Sequence, residues 1–507
     1  MKNKTFNSFN LLFTILIFLY MNNISAQSPD NKLGFFDEHS DVGNVEHSGS
    51  VVYNTDSQEF TIEGSGSNIW GTNDEFQYLW KKIKGDFILT AKVEFVGKGV
   101  EPHRKIGWMV RQSLESNSPH ISAIVHGSGL TSLQYRRTKG DVIEEKQLTS
   151  QSPDIIQLQR KGKTYIMSVA HWGETFIREE ITDSTLRDEV YIGLFVCAHN
   201  PKVLEKAIFK NVRIEIPAGP NLVQYTDYLG SYLEIMDIET GARKIIHQEP
   251  CSLQAPNWTP DGKILIYNSK GLLYNFDLAT SKPSLLNTDF ANNNNNDHVL
   301  TFDGRLIGIS HHSLDDKGQS VIYYLPVTGG KPIRVTPKSP SYFHGWSPDS
   351  KHLIYTGGRN DQYNIYKISV NGGEETQLTH VKALDDGPEF TPDGKCIYFN
   401  STRTGLMQIW RMKPDGGDQE QITNDGLNDW FPHISPDGKW IVFLSFLTDV
   451  SPDKHPFYQH VYLRIMPASG GAPKVIAYLY GGQGTINVPS WSPDSKRIAF
   501  ISNSDFK

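Results

Sequence analysis

The sequence predicts an all-β protein, a β-sandwich followed by a six-bladed β-propeller. Three observations predict it. A turn phrase recurs six times through the second half of the chain. The two ends of that array are complementary fragments of one repeat. The first half lacks the phrase and consists of short alternating apolar runs.

The phrase reads Thr259-Pro260-Asp261-Gly262, Thr301-Phe302-Asp303-Gly304, Ser347-Pro348-Asp349-Ser350, Thr391-Pro392-Asp393-Gly394, Ser435-Pro436-Asp437-Gly438 and Ser492-Pro493-Asp494-Ser495. Successive copies lie 42, 46, 44, 44 and 57 residues apart, and a four-stranded blade needs about 40–45. Pro presets φ, Asp bonds its own backbone and Gly accepts positive φ, so each copy is a tight turn between two strands. An aromatic residue precedes most copies, as at Trp258, Trp346, Phe390 and Trp491, and an apolar strand such as Cys396 to Phe399 follows. A third strand (Gln408 to Met412), a Gly-Gly turn (Gly416-Gly417) and a short fourth strand complete the unit. The last copy holds two strands, and Tyr232 to His247 holds the third-and-fourth-strand pair. Joined, they close the ring and leave no open edge.

These repeats, over 221–507, resemble the TolB-type family of WD40-like propellers, and Ser401 to Trp410 strengthens the likeness. The resemblance implies an exported partner protein that binds peptide segments of envelope proteins, although the family carries a different N-terminal domain. The fold itself does not imply a function.

Residues 1–26 read as a secretory signal. Lys2 and Lys4 precede the apolar run Leu11 to Tyr20, and Ile24-Ser25-Ala26 forms a small-residue cleavage site. The apolar run is too short for a comfortable membrane span. Cleavage after Ala26 places the mature protein in the periplasm or outside the cell. It would carry 47 basic and 56 acidic side chains, a net charge of −9. With no basic run, nucleic acid is excluded as a partner. The three cysteines, Cys197, Cys251 and Cys396, are too few for a disulfide framework; Cys197 and Cys396 lie in apolar strand-like runs and are expected as buried free thiols, with a Cys251–Cys396 bridge the alternative.

Residues 33–217 alternate as strands, for example Phe87 to Phe95, Ile106 to Arg111, Thr164 to Val169 and Tyr191 to Val196. Gly64 to Gly71, Phe76 to Trp80, Gly85-Asp86-Phe87 and Gly107 to Arg111 resemble concanavalin-like jelly-roll modules. That likeness implies sugar binding or simple packing beside a partner domain. Hydrolysis is not expected, because the Glu-x-Asp-x-x-Glu triplet of glucanases with this fold does not occur. Trp70, Trp80, Trp108 and Trp172 are candidates for stacking on sugar rings, with core packing the favoured role for each.

Strand order sends the links between blades, and the loops between second and third strands, to one face of the propeller. These links contribute Asn296-Asp297-His298, Ser341 to His344, Asp385-Asp386 with Glu389, Asp429-Trp430-Phe431 with His433, and Gln483 with Asn487. Repeat five carries an insertion, Leu447 to Gln459, that overhangs the same mouth and adds Phe457 and Tyr458. A long polar and aromatic loop at such a place reads as a binding determinant. The expected ligand-binding set is therefore Asp385, Asp386, Glu389, Asp429, Trp430, Phe431, Phe457, Tyr458, Gln483 and Asn487. The expected function is binding of a carbohydrate or an envelope-protein peptide, without a cofactor.

The alternative is a lyase acting on uronate sugars. His433, His455 and His460, with Gln459, Gln483 and Asp386, are candidates to hold a divalent cation such as Mn or Ca, and there is a general likeness to oligogalacturonate lyases, propellers with a His/Gln metal site. His433 or His455 would then serve as base, and Arg403 or Arg359 would take the substrate carboxylate. A serine-peptidase reading is rejected, because no Gly-x-Ser-x-Gly elbow lies between a strand and a helix.

Overall fold

The computed structural model describes residues 33–506. The predicted signal and its cleavage site lie outside the described residues. Among those residues no helix is long and apolar enough to cross a membrane, and a single 3₁₀ turn, Leu314–Asp316, interrupts the β structure.

Two seven-stranded antiparallel sheets make the first part. One runs, in spatial order, Glu38–Val42, Phe76–Lys84, Glu189–Cys197, Lys105–Arg111, His120–His126, Thr131–Arg136 and Glu144–Gln147. The other runs Ile177–Thr182, Thr164–Ala170, Ile155–Lys161, Phe87–Phe95, Glu205–Glu215, Glu59–Gly64 and Ser50–Asn54. Alternate residues of both sheets, such as Ile106, Trp108 and Val110 against Leu89, Leu158 and Phe209, form one buried core, as period-two patterning requires.

The outer face of the first sheet is also closed. Tyr78, Met109 and Phe195 are buried there with Ile69 from the 65–75 loop. Asp74 locks that loop down through Arg111 and Arg136, at 2.7 Å each, with all three side chains fully buried. Of the four tryptophans considered for sugar stacking, Trp108 is core and Trp80 is 9% exposed. Trp172 packs over Gly241, where a side chain would collide with the indole. Trp70 alone is well exposed.

The propeller has five four-stranded blades. Their innermost strands are Gln254–Trp258, Asn294–Leu300, Ser341–Trp346, Asp385–Phe390 and Asn428–Ile434, for blades one to five. Blade six is completed from both ends of the array: Arg497–Ser504 pairs with Gly230–Asp237, which pairs with Arg243–Glu249. Its innermost strand is reduced to one bridge, Trp491 to Ile498.

The repeated phrase does what its chemistry predicts. In each copy the Ser or Thr hydroxyl donates to the Asp carboxylate at 2.5–2.7 Å. The fourth residue takes positive φ, +71° at Gly262 and +70° at Gly394. In two copies a Ser accepts that strained conformation, Ser350 at +57° and Ser495 at +60°.

The sandwich rests on blades five and six. Phe176 stacks on Tyr478 and bonds the Tyr462 hydroxyl, and Gly173 bridges to Val475. Arg213, from the last strand of the sandwich, meets Glu234 of the closing blade at 2.5 Å, and Arg243 holds the other carboxylate oxygen at 2.8 Å. Burial opposes ionisation of Glu234, but the two guanidinium groups outweigh it and hold the carboxyl down to about 2. Cys197 is buried as expected, whereas Cys251 and Cys396 are half-buried, and all three thiols are free.

Candidate functional site

A cavity of about 900 Å³ opens on the propeller face that gathers the blade links, near the upper end of the usual range for small-molecule sites. The backbone that builds it shares one irregularity. In blades one to five the innermost strand slips register against its neighbour, between Gln254 and Asn257, Asn294 and His298, Phe343 and Gly345, Asp386 and Glu389, and Trp430 and His433. A bulge re-aims the side chains that precede it, and here Gln254, Asn294, Asp386 and, within the fifth slip, Phe431 line the cavity. Phe431 pays for its place with φ of +56°, and Asn400 steadies it by accepting its backbone N–H at 3.1 Å.

A polar network runs around the wall through five blades. Asp386 accepts from Thr356 Oγ1 at 2.6 Å and from the Gly387 N–H at 2.8 Å. His344 Nε2 lies 3.2 Å from its Oδ1, and His455 Nε2 lies 4.0 Å from its Oδ2. His455 Nδ1 donates to Gln483 Oε1 at 2.6 Å. Gln483 in turn bonds Asn296 and Asn487, at 3.3 and 3.0 Å. Asn295 donates to Asp297 Oδ2 at 2.7 Å.

Burial and charge sort these groups. Burial would raise Asp386, but the hydrogen bond and charge of His344 reverse it and hold the carboxyl down to about 2. Burial likewise opposes a charged His344, and Asp297 and Asp386 overcome it, so that imidazole is raised above the ordinary histidine value. Asp297 is pushed up to about 6 by burial, against the pull of His344. His455 is lowered by burial despite Asp386 and Gln483, and stays neutral near pH 7.

Aromatic side chains form the rim. Tyr225 and Tyr228, in the segment before the closing blade, meet Phe457 edge-on at 5.3 and 5.6 Å between centroids. Gln224 clamps the Phe457 backbone with two hydrogen bonds of 3.2 Å. Tyr342 and Tyr363 stand as a second pair on blade three. Among the described residues lining the cavity, Lys270 is the one Lys or Arg, against Asp297, Asp386 and Asp453.

Of the residues expected at the mouth, Asp386, Phe431, His455, Phe457, Gln483 and Asn487 line it. Five others have structural work instead. Asp385 is buried against Arg403 at 2.9 Å, and Asp429 is buried between Ser445 and Arg464. Trp430 is core. Glu389 accepts the Ile434 N–H and faces His433. Tyr458 packs between blade five and Leu229, whose N–H it accepts at 2.9 Å.

The lyase candidates assemble only in part: His455, Gln483 and Asp386 meet at the cavity, and the others stand apart from them. Both ring nitrogens of His433 are engaged at 2.6 Å, with Glu389 and with the Ile486 carbonyl, which leaves no lone pair for a metal. His460 packs beside Tyr480, and Gln459 bonds the Phe457 carbonyl, neither lining the cavity. Arg403 is spent on Asp385, Ser401 and Gln419, and Arg359 on Glu375. Among the described residues no group of three or more His, Cys, Asp or Glu side chains is placed to hold a metal ion.

Sequence reasoning placed His344, Asp297 and Asn296 on the correct face without ranking them, and missed Tyr225, Tyr228 and Lys270. The run of five asparagines, Asn292 to Asn296, at the link position that corresponds to Asp385-Asp386 was the available signal.

Comparison with known proteins agrees with this architecture. Residues 338–451 match the family described as the TolB beta propeller domain. An uncharacterized protein of Agrobacterium fabrum is 46% identical over 272 residues, covering 54% of this chain and 92% of that protein. A solved structure from Agrobacterium tumefaciens, provisionally named TolB, is 45% identical with a TM-score of 0.52, covering 55% of this chain and 99% of that one. TolB from Acinetobacter baumannii aligns at 15% identity with a TM-score of 0.41, over 64% of this chain and 79% of that one. With repeat phrase, ring closure and a relative matched over nearly its full length all in agreement, the chain belongs to the TolB-like β-propeller family.

Proposed function

We propose that this is an exported binding protein whose propeller mouth takes a neutral carbohydrate. The observation that carries the reading is the composition of the cavity wall: amides and aromatic rings, with Lys270 the one Lys or Arg against three Asp residues. An amide offers a donor and an acceptor side by side, which suits adjacent sugar hydroxyls. Asn294 Oδ1 and Asn296 Nδ2 are buried without a protein partner, and such groups favour a ligand that supplies one. Tyr225, Tyr228 and Tyr363, each well exposed at the rim, offer flat apolar faces to a pyranose. An acidic sugar would meet Asp297, Asp386 and Asp453 against Lys270 and the raised imidazole of His344, and that imidazole is already paired with Asp386, so the wall is a poor match for a negative charge.

The test is a binding screen of the protein from residue 27 onward against neutral glycans, galacturonate oligomers and envelope peptides. Saturable binding of a neutral glycan without products is expected. Turnover of galacturonate oligomers to unsaturated products would replace this reading with the lyase, and binding of peptides alone would replace the ligand class.

A further inference from the structure

Beside the mouth lies a second cavity, of about 390 Å³, on the same edge of blade two. The two share Asn293 and His312 as a common ridge. That ridge is fixed. Asn294 pairs with His311 across the sheet, the His312 N–H donates to the Asn293 carbonyl at 3.0 Å, and the His312 ring is held to Gly318 at 3.2 Å.

The second cavity repeats the aromatic, imidazole and amide groups of the first and adds Ser313, Leu314 and Asp315 at its outer side. Its floor is His311 and Tyr323, each 7% exposed, and its wall is Phe290, 41% exposed. Phe290 stands at a steep angle to both floor rings, at 6.0 and 5.5 Å between centroids, and keeps much of its own ring exposed. A closed turn presents it: the Ala291 N–H donates to Thr288 O at 2.9 Å, and Thr288 Oγ1 returns to Ala291 O at 2.6 Å. His311 Nδ1 is buried without a protein partner, and burial lowers that imidazole, keeping it neutral. Asn292 and Asn293 supply amides at the rim.

We propose that the two cavities are successive subsites of one cleft, so that the ligand is an oligosaccharide chain that runs from the mouth outward over blade two, with one sugar ring against Phe290. A lone ring would leave the second cavity and its aromatic wall without use. The proposal rests on the carbohydrate reading of the mouth, and it adds ligand length and direction.

The experiment is calorimetric titration with neutral oligosaccharide ladders, two to six units long, of β-1,3-glucan, β-1,4-glucan, xylan and mannan. For the series that binds, affinity is expected to rise between two and four units. Phe290→Ala is expected to flatten that dependence, lowering the affinity for the longer members about five- to tenfold, the usual worth of an aromatic contact. Because Phe290 is exposed, its removal leaves the blade core in place. Equal affinity for all lengths, with binding intact, would overturn the second subsite and leave the mouth reading standing. Binding of no ladder at all would remove both.

Discussion

His344 Nε2 lies 3.2 Å from Asp386 Oδ1, so a buried imidazole and a half-buried carboxylate from neighbouring blades meet at the wall of the cavity. This contact, with Thr356 and His455 around it, ties blades three and four together at the mouth.

Its pH dependence follows from the directions of the two shifts. Asp386 is depressed to about 2, so its stabilising contribution is present above the ordinary carboxylate value near 4 and is lost as pH falls toward 2. His344 is raised, so its contribution is complete below about 6.5 and is lost as pH rises through its folded value. The pair is therefore strongest between about pH 4 and 6.5. Asp386→Asn is expected to lower the His344 midpoint in an NMR titration and to cost more stability at pH 5.5 than at pH 8.5. An unmoved His344 midpoint would show that the pair is not coupled.

Arg403 braces blade four through Asp385 and does not face the cavity. Arg403→Ala leaves a buried carboxylate unpaired and is expected to destabilise the fold by about 3 kcal/mol, read by chemical denaturation. Replacing both residues by Leu should recover much of that loss. Glycan affinity of the folded single variant should be unchanged, and a selective loss of binding at full stability would return Arg403 to the site.

Glu234 joins the two halves of the molecule, bonded to Arg213 of the sandwich and to Arg243 and Ser502 of the closing blade. Glu234→Ala leaves two buried guanidinium groups without their counter-ion and is expected to cost about 3–5 kcal/mol. Calorimetry should then resolve two melting transitions in place of one, because the variant weakens the joint and the closing blade together. A single unshifted transition would contradict the assigned role.

The protein is expected to hold no Mn or Ca that matters for its fold or its binding. Treatment with a chelator should leave the melting temperature and glycan affinity unchanged. Stoichiometric metal in the purified protein, lost together with stability in chelator, would contradict this.

The propeller was legible in the sequence because its signal is local. A Ser/Thr-Pro-Asp-Gly turn needs particular residues for its backbone, and the same need recurs six times. Ring closure was legible because the missing strands of Arg497–Ser504 are present at Gly230–Glu249. The insertion in blade five was visible by its length, yet its packing was not: Phe457 and Tyr458 look like exposed loop aromatics and are instead 3% and 5% exposed. Among their partners, Leu229 lies far away in sequence, in the segment before the closing blade. The division of Asp385 from Asp386, one braced by Arg403 and one lining the cavity, depends on a register slip that leaves no mark in composition or spacing. The closed outer face of the sandwich depends on the pairing of Asp74 with Arg111 and Arg136, which only the folded chain brings together.

The most direct test is a crystal structure with the tightest-binding neutral oligosaccharide. A sugar ring is expected in the cavity between Asn293 to Asn296 and Gln483, within hydrogen-bond distance of Asn294 or Asn296 and in contact with Tyr342 or Tyr363. A ligand found only on the sandwich, or on the propeller face that carries the Pro-Asp-Gly turns, would contradict the account.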